Sequence, residues 1–568
     1  MADPIKLTID GKEAVAPKGM NLIEAAKLVG IEVPHYCYHP KLAIVGNCRM
    51  CLVDVGMPKM GPDKKPEMGP DGKPVIQFGP KLSIGCNTTV AEGMVVQTRS
   101  GKVIKAREGV MEFLLINHPL DCPICDQAGE CRLQEFSVDY GKGQSRFIEE
   151  KVHKPKKTEI GPKIMLDDER CILCSRCVRF MKDVAGQDCL GFVDRGSHST
   201  LTCYPGMEPN TNYDLNIVDI CPVGALTSND FRFKQRVWFL KETKSVCPNC
   251  ATGCNTVLGS REGAVHRQTP RDNDAVNQCW MCDHGRLHYQ FINAPNRFVA
   301  PTVRSGATGE RSKLTWPEAT HQIGEKLKAL KGKGATIAAI GTARATTEEL
   351  FLFNKLVQEV LGAELVDCVP HVGEGDKFLL STDRNPNTHG AKLTGLTADP
   401  VGGRIPVIAE AIKSGKIKTL IVHGENVAKY GIADDLLTKL ELLIVIDTLP
   451  NQVTELAHYV LAGVTFAEKR GTFINGKARL QRLNTAILSP GIARPEWQTF
   501  AALLNELGAD GKYLTIEDVF ADMARTFAPL AGLNLSKIGD QGVELKLAAG
   551  APPAVPTETP APAVGVKA

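Results

Sequence analysis

Three features are missing from the sequence, and each absence narrows the class of protein. No apolar run reaches the roughly 18 residues of a membrane-spanning helix, and the start, MADPIKLTIDGKEAV, lacks the charge-flanked apolar core of a signal peptide. Positive and negative charges nearly balance, with 67 Lys and Arg residues and 64 Asp and Glu residues. The composition therefore indicates neither a nucleic-acid-binding surface nor an acidic tail. We expect a soluble, unsecreted chain, able to dock on a membrane protein. Its length and its 43% apolar content predict roughly four globular domains.

Cysteine is almost absent from the second half and abundant in the first. Of the 19 cysteines, all except Cys368 lie in the first 282 residues, mostly in tight groups. Thiols of an unsecreted protein stay reduced, so the high cysteine content predicts metal binding or redox chemistry rather than disulfide bonds.

The first group is Cys37, Cys48, Cys51 and Cys86. The preceding IKLTIDGKEAVAPKGMNLIEAAKLVGI predicts two strands and a short amphipathic helix, and the whole resembles a β-grasp ferredoxin carrying a 2Fe-2S cluster. Within the gap before Cys86, KMGPDKKPEMGPDGKP repeats MGPD and predicts a solvated hairpin insertion. A zinc loop using His35 or His39 is the alternative, disfavoured because only one CxxC pair is present.

The second group is His118, Cys122, Cys125 and Cys131, in HPLDCPICDQAGEC after the helix-like KAREGVMEFLLINHP. Four ligands within one short loop favour a compact 4Fe-4S cubane, with Gly129 letting the backbone approach the sulfides. A neutral imidazole in place of a thiolate makes such a site less negative and raises its reduction potential. On chemistry alone, zinc stays open.

The third group is CILCSRC, with Cys171, Cys174 and Cys177, and the remote Cys221 in IVDICPVGAL. Two-cluster ferredoxins repeat C-x2-C-x2-C-x3-C-P, the fourth cysteine of each run serving the other cluster. Here the corresponding positions of the other cluster hold Met181, Thr211, Asp214 and Ile217. We therefore predict one surviving cubane, and Cys189 and Cys203 as buried hydrophobes.

The fourth group is CPNCATGC, with Cys247, Cys250 and Cys254, followed after 27 residues by Cys282. The intervening NTVLGSREGAVHRQTP predicts a hairpin turning at 261–263. Cys279 forms a CxxC pair with Cys282, so spacing alone settles neither the fourth ligand nor the choice between a cubane and a zinc ribbon.

The order of the four groups resembles the large iron-sulfur (75 kDa) subunit family of NADH-quinone oxidoreductase, the bacterial respiratory complex I. The resemblance covers roughly residues 1 to 300. It implies one 2Fe-2S cluster on the first group, three 4Fe-4S clusters on the others, and Cys282 rather than Cys279 as the fourth ligand.

The resemblance also implies an electron-transfer role in NADH:quinone oxidoreduction, a translocase reaction coupled in the whole complex to proton translocation. Electrons would pass from a flavin- and NADH-binding subunit to the Cys37 cluster, then the Cys171 cluster, then the His118 cluster, and leave toward quinone-side peripheral subunits. The Cys247 cluster would lie off this path. The implied location is peripheral, on the cytoplasmic side of the bacterial inner membrane, with no direct span. No GxGxxG follows a strand, so no complete active site is expected in this chain.

The second half predicts an α/β domain with parallel strands, from stretches such as GATIAAIGTARATTEELFLFNKLVQEVLG and LELLIVIDTLPNQVTELAHYVLAG. It resembles a truncated molybdopterin oxidoreductase fold. In formate dehydrogenases of that superfamily, a cysteine or selenocysteine that binds molybdenum follows shortly after a VDxC-like turn. The corresponding stretch here, VDCVPHVGEGD, has only Cys368, at the turn itself, and no further thiol follows it. We expect Cys368 to be a core residue, and no molybdopterin.

The predicted organisation is multidomain α/β and α+β, with six segments. They are a 2Fe-2S ferredoxin-type domain (1–100), a His(Cys)3 4Fe-4S domain (101–144), a one-cluster ferredoxin-like domain (145–239), a 4Fe-4S domain of the molybdopterin-enzyme type (240–298), a molybdopterin oxidoreductase-like domain without active site (299–535) and a disordered Pro- and Ala-rich tail (536–568).

Three other functions share part of the pattern. An iron-only hydrogenase would need further cluster cysteines after residue 222, and a molybdenum formate dehydrogenase would need the missing metal ligand. A zinc scaffold would be colourless and silent in electron paramagnetic resonance (EPR).

Overall fold

The computed structural model describes residues 4–305, 309–330 and 336–547. They form two compact units, separated in sequence between Phe239 and Leu240. Among these residues, no helix is both long enough and apolar enough to cross a membrane.

The first unit begins with a mixed sheet on which helix α1 packs. Its strands are β1 (Ile5–Ile9), β2 (Lys12–Ala16), β3 (Leu52–Pro58), β4 (Ile76–Phe78), β5 (Ser83–Ile84) and β6 (Val95–Gln97), and α1 is Leu22–Leu28. The order is β2-β1-β6-β3-β4, with β1 and β6 parallel and β5 paired to β3. Leu7 and Ile9 point into the core with Leu22 and Ile23, following the alternation of a half-buried strand. The predicted strand, strand and helix at the start are therefore confirmed.

The MGPD repeat forms the predicted exposed insertion between β3 and β4. These two strands pair antiparallel, and small bridges join Met60 to Pro66 and Met68 to Pro74. The insertion lengthens the chain between Cys51 and Cys86 as a hairpin.

The remainder of the first unit consists of short elements around loops. They are α2 (Gly101–Leu115), α3 (Arg132–Tyr140), β7 (Thr158–Glu159), β8 (Ile164–Leu166), α4 (Arg176–Asp183), β9 (Leu190–Val193), β10 (Thr200–Cys203), α5 (Asn216–Asp219) and β11 (Leu226–Ser228). The pairs are β9 with β10, and β8 with both β7 and β11. The short elements leave the cysteine-bearing loops to be held by packing and specific hydrogen bonds.

The second unit starts with an antiparallel sheet and continues into an α/β domain. The antiparallel strands are β12 (Lys241–Val246), β13 (Asn255–Arg261) and β14 (Ala264–Pro270), followed by α6 (Asp283–Leu287). Glu262 and Gly263, both with positive φ, close the predicted hairpin between β13 and β14.

A seven-stranded sheet forms the centre of the α/β domain. Its strands are β15 (Thr302–Arg304), β16 (Arg311–Lys313), β17 (Ile337–Gly341), β18 (Leu365–Cys368), β19 (Thr419–His423), β20 (Leu442–Asp447) and β21 (Tyr459–Ala462). The order is β16-β15-β21-β20-β19-β17-β18, parallel from β21 to β18, which confirms the predicted parallel α/β domain. All five residues of β17 are buried, as in parallel sheets covered on both faces.

Helices and a small second sheet surround this core. The helices are α7 (Trp316–Lys328), α8 (Thr347–Asn354), α9 (Thr388–Leu393), α10 (Ile405–Lys413), α11 (Asp434–Leu437), α12 (Gln452–Leu456), α13 (Glu496–Glu506) and α14 (Ile516–Thr526); the strands are β22 (Gly471–Ile474), β23 (Arg479–Leu483) and β24 (Val543–Glu544).

The predicted start of the disordered tail at residue 536 is wrong. Strand β24 pairs with β23, and Ile538 and Leu545 are buried in the hydrophobic core. Apolar residues at these two positions anchor the chain, whereas the Pro- and Ala-rich composition typical of disorder begins only afterwards. Residues 548–568 lie outside the described part of the chain.

Candidate metal centres

The first cysteine group converges on one site within the N-terminal domain. Its members lie on the loop between α1 and β3 and, in the case of Cys86, directly after β5. The Cys37 thiol hydrogen-bonds with those of Cys48 and Cys86, and Cys86 also bonds with Cys51. These hydrogen bonds lower the pKa of Cys37 and raise that of Cys86. The four sulfurs are thus neighbours before any metal is considered.

Neither histidine of this loop joins the four sulfurs. His35 Nδ1 lies 2.8 Å from the Val33 carbonyl, and His39 Nδ1 accepts a hydrogen bond from the Lys41 backbone. Both rings line a separate cavity that none of the four cysteines lines. The placement gives no support to a zinc loop that uses His35 or His39.

The second group lines a single cavity in the first unit. The cavity is bounded by His118, Cys122, Cys125 and Cys131, together with Arg170 and Gly224. His118 follows the end of α2 by three residues, and Cys131 is the N-cap of α3. The helix ends therefore fix the two outer members of the loop at the cavity.

Gly224 is a close neighbour of this site from a distant part of the chain. A Cβ atom at Gly224 would lie 2.2 Å from Cys125 Sγ, closer than any real contact. Pro222 O is 4.0 Å from Cys131 Sγ. The segment after Cys221 therefore forms one wall of the His118 site, and only glycine fits at position 224.

The protonation states at this site suit metal ligation. Burial, assisted by Arg170, lowers the pKa of His118 to about 4, so its imidazole is neutral at pH 7. Burial raises the pKa of Cys131 to about 11. A neutral imidazole can bind iron directly, and a buried thiol needs a cation to become a thiolate.

Gly129 also makes close packing possible, which the sequence did not predict. Its φ of +92° requires glycine, and a Cβ there would lie 2.8 Å from the Trp238 ring. Gly129 thus admits a tryptophan side chain against the loop, and the predicted approach of its backbone to a cluster stays a prediction.

The third group also shares one cavity, lined by Cys171, Cys174, Cys177 and Cys221. Leu173 and Ser175 flank Cys174 and have φ of 54° and 61°. These left-handed residues coil the loop tightly, and the Leu173 N–H donates to Cys171 Sγ at 3.4 Å. Burial raises the pKa of Cys174 to about 11.

The four positions that would bind the second cluster of a two-cluster ferredoxin hold side chains with ordinary structural roles. Met181 and Ile217 are fully buried apolar residues. Asp214 accepts hydrogen bonds from the Thr211 N–H at 3.0 Å and from Lys163 Nζ at 3.2 Å. Met181 and Ile217 therefore contribute to the hydrophobic core, and Thr211 and Asp214 belong to a network of hydrogen bonds. Cys189 is fully buried as predicted, whereas Cys203 is half-buried.

The fourth group is buried at the base of the hairpin of β13 and β14. The Cys247 N–H donates to the Cys254 carbonyl at 2.8 Å, and Cys282 Sγ accepts from the Gly285 N–H at 3.3 Å. A Cβ at Gly285 would lie 3.1 Å from Cys247 Sγ and 3.2 Å from Cys282 Sγ. The Cys282 thiol therefore faces Cys247 across Gly285. Burial raises its pKa to about 12, with Cys250 contributing.

These placements fit clusters held by several sulfurs. Among the described residues, no group of three or more His, Cys, Asp or Glu side chains is close enough to hold a metal ion as the side chains stand. The third and fourth groups hold buried thiols whose pKa values burial raises, and bound iron would supply the positive charge that a buried thiolate requires. Gly224 and Gly285 leave room beside the sulfurs where any side chain would intrude.

Five domain families match successive parts of the chain. They are described as a 2Fe-2S iron-sulfur cluster binding domain (2–101), the NADH-ubiquinone oxidoreductase-G iron-sulfur binding region (107–146), the ferredoxin-like domain of NADH-quinone oxidoreductase subunit 3 (161–227), the molybdopterin oxidoreductase Fe4S4 domain (240–294) and molybdopterin oxidoreductase (384–506).

Three relatives illustrate the range of similar proteins. The G subunit of NADH-quinone oxidoreductase from Rickettsia felis is 41% identical over 63% of this chain and 49% of its own length. The mitochondrial NADH-ubiquinone oxidoreductase 78 kDa subunit of Candida albicans is 30% identical over 91% of this chain and 84% of its own. NADH-quinone oxidoreductase subunit 3 of Thermus thermophilus is 38% identical over 62% and 46%. The matched region spans about half the length of the bacterial relatives.

Proposed function

The chain belongs to the large iron-sulfur subunit family of NADH-quinone oxidoreductase, and we propose that it carries electrons from NADH and flavin toward quinone within such a complex. It acts as an oxidoreductase subunit without a complete active site of its own. We assign one 2Fe-2S cluster to the Cys37 group and 4Fe-4S clusters to the His118, Cys171 and Cys247 groups. In the whole complex this transfer is coupled to proton translocation.

A single observation carries the proposal: three of the four sites are joined by direct contacts within the first unit. Asn47, beside Cys48, donates to the Leu173 carbonyl at 3.3 Å, which links the first site to the third. Pro222, beside Cys221, touches Cys131 Sγ, which links the third site to the second. Tyr36, beside Cys37, also packs on Phe136 of α3, the helix that Cys131 caps, so the first and second sites are joined as well. The contacts support transfer among the three sites, and the order from the Cys37 site through the Cys171 site to the His118 site is what the family resemblance implies.

Bound clusters supply one-electron chemistry, and the chain's residues determine where it occurs and at what potential. The thiols would hold the iron, and most of them are buried, which would limit the access of water; Cys122 is the exposed exception. His118 would hold its cluster through a neutral imidazole in place of one thiolate, which would make the site less negative and raise its reduction potential.

The His118 site is the one at which we place the exit toward quinone-side subunits. Cys122 is exposed, and the neighbouring Leu120 and Ile124 are 89% and 60% exposed. Apolar side chains beside a ligand suit the docking of an electron-accepting protein. The electron donor is a flavin- and NADH-binding subunit, and we place the assembly peripherally on the cytoplasmic side of the bacterial inner membrane.

The α/β domain of the second unit acts as a structural domain in this proposal, truncated relative to molybdopterin enzymes. Cys368 is fully buried at the end of β18. Glu348 and Glu349 occupy the first turn of α8 after β17, where α/β folds bind phosphates. Glu349 accepts from Lys469 Nζ at 2.9 Å, and Glu348 accepts from the Thr472 N–H at 2.8 Å. Carboxylates in these positions oppose an anionic cofactor.

The proposal is tested by purifying the complex, separating this chain from its neighbouring subunits under anaerobic conditions that keep its clusters, and counting the iron that remains on this chain. We expect about 14 irons per copy of this chain, two from a 2Fe-2S cluster and four from each cubane. EPR of the reduced complex should show both cluster types. About 18 irons would mean a second cubane in the ferredoxin-like domain, and stoichiometric zinc without EPR signals would overturn the proposal.

A second expected result concerns molybdenum. Elemental analysis of the same complex should find no stoichiometric molybdenum, because Cys368 is buried and carboxylates fill the phosphate position at α8. Extraction of a pterin, or molybdenum equimolar with the chain, would contradict a structural role for residues 299–535.

A further inference from the structure

One guanidinium group touches a ligand residue of two different candidate clusters. Arg179 lies on α4, and its Nη2 donates to the Cys37 carbonyl at 2.6 Å and to the Cys174 carbonyl at 3.3 Å. Its Nη1 donates to the Ala43 carbonyl, and its Nε donates to the Ser175 carbonyl at 3.2 Å. Arg179 therefore ties the cysteine loop of the N-terminal domain to the CILCSRC loop.

The bridge is rigid because guanidinium is planar and holds its donors in a fixed fork. Cys37 and Cys174 are far apart in sequence, so tertiary contacts of this kind must hold their two loops in register. Arg176 adds a parallel link, donating to the Tyr38 carbonyl at 2.5 Å and to the Ile220 carbonyl at 3.0 Å. Both arginines place positive charge between the two sites.

The electrostatic setting of Arg179 agrees with this geometry. The Arg179 side chain is only partly exposed, and its guanidinium lies against the backbone carbonyls of both Cys37 and Cys174. A charge held at low dielectric between two anionic sites acts on both of them more strongly than an exposed one.

We propose that Arg179 is a positioning residue that fixes the separation of the Cys37 and Cys171 clusters and raises the reduction potential of both. The inference rests on the proposed function. Transfer of one electron oxidises the Cys37 cluster and reduces the Cys171 cluster with no proton moved. Reduction adds negative charge, so a nearby guanidinium stabilises the reduced form of either cluster.

Two substitutions separate the charge of Arg179 from its bridging geometry. Arg179→Gln removes the charge and should lower the midpoint potentials of both clusters in a potentiometric EPR titration of the intact complex. Arg179→Lys keeps the charge but presents a point donor in place of a fork. It should preserve the potentials, weaken the magnetic interaction between the two reduced clusters, and slow NADH-to-quinone electron flow several-fold.

Arg49→Gln is the matched control. Arg49 lies next to Cys48 but is exposed, and its side chain makes no hydrogen bond within the described part of the chain. Solvent screens its charge, so both potentials and the magnetic interaction should stay at wild-type values.

The outcomes distinguish this inference from the proposed function. Wild-type complex without the two EPR signals would overturn the proposed function itself. Wild-type signals that keep their potentials and their interaction in both Arg179 variants, with normal iron content, would overturn the role of Arg179. Equal shifts in Arg179→Gln and Arg49→Gln would also overturn it, because they would show an effect of overall charge.

Discussion

Gly224→Ala should eliminate the His118 cluster while leaving the other three in place. The new methyl group would stand 2.2 Å from Cys125 Sγ, so either the cysteine loop or the segment after Cys221 must move. Displacing one ligand of a cubane removes the site's fourfold ligation. We expect a loss of about four irons per chain and of one EPR signal.

Electron flow to quinone should stop in this variant, while NADH oxidation by an artificial acceptor at the flavin continues. Gly143→Ala is the control, because a Cβ at Gly143 meets nothing within 4 Å and no positive φ constrains it. A fully loaded Gly224→Ala complex would show that the cluster does not depend on this wall of the cavity. Loss of the Cys171 cluster alone would show that Gly224 acts through Cys221.

Much of each site could be predicted from local sequence, because ligands on one loop reveal themselves by spacing. The structure places His118, Cys122, Cys125 and Cys131 around one cavity, and Cys221 with the CILCSRC cysteines. The ligand assignments themselves stay predictions until metal is measured.

Contacts between distant segments could not be predicted in this way. Gly224 and Arg179 look like an ordinary turn glycine and an ordinary helix arginine, and only the folded chain brings them to Cys125 and Cys37. Spacing also left Cys279 and Cys282 equivalent, since each belongs to the same CxxC pair. In the structure a Cβ at Gly285 would lie close to both the Cys247 and the Cys282 sulfurs, which supports the prediction of Cys282 as the fourth ligand.

The predicted start of the tail is wrong for a related reason. Composition describes a segment as a whole, whereas Ile538 and Leu545 are single apolar residues that find places in a core formed by other elements. This segment is also held in place by pairing with strand β23, which lies elsewhere in the sequence and cannot be inferred from the composition of the segment itself.

His118→Cys should lower the potential of its own cluster and leave the other three unchanged. The thiolate adds a negative charge where the neutral imidazole had none, and negative charge disfavours reduction. His118→Ala should instead open a coordination site and favour the loss of one iron, with the EPR signature of a three-iron cluster.

The consequence for electron flow follows from the position of the site in the proposed order. A lowered potential at the exit makes the last transfer within the chain less favourable, so NADH-to-quinone turnover should fall while reduction of an artificial acceptor at the flavin persists. His153→Cys is the control, since the His153 side chain is 83% exposed and its Nδ1 faces Glu169 at 2.9 Å rather than the cavity. If the His118→Cys cluster kept both its potential and its signal, His118 would be a histidine beside a three-cysteine site, and its assignment as an iron ligand would be wrong.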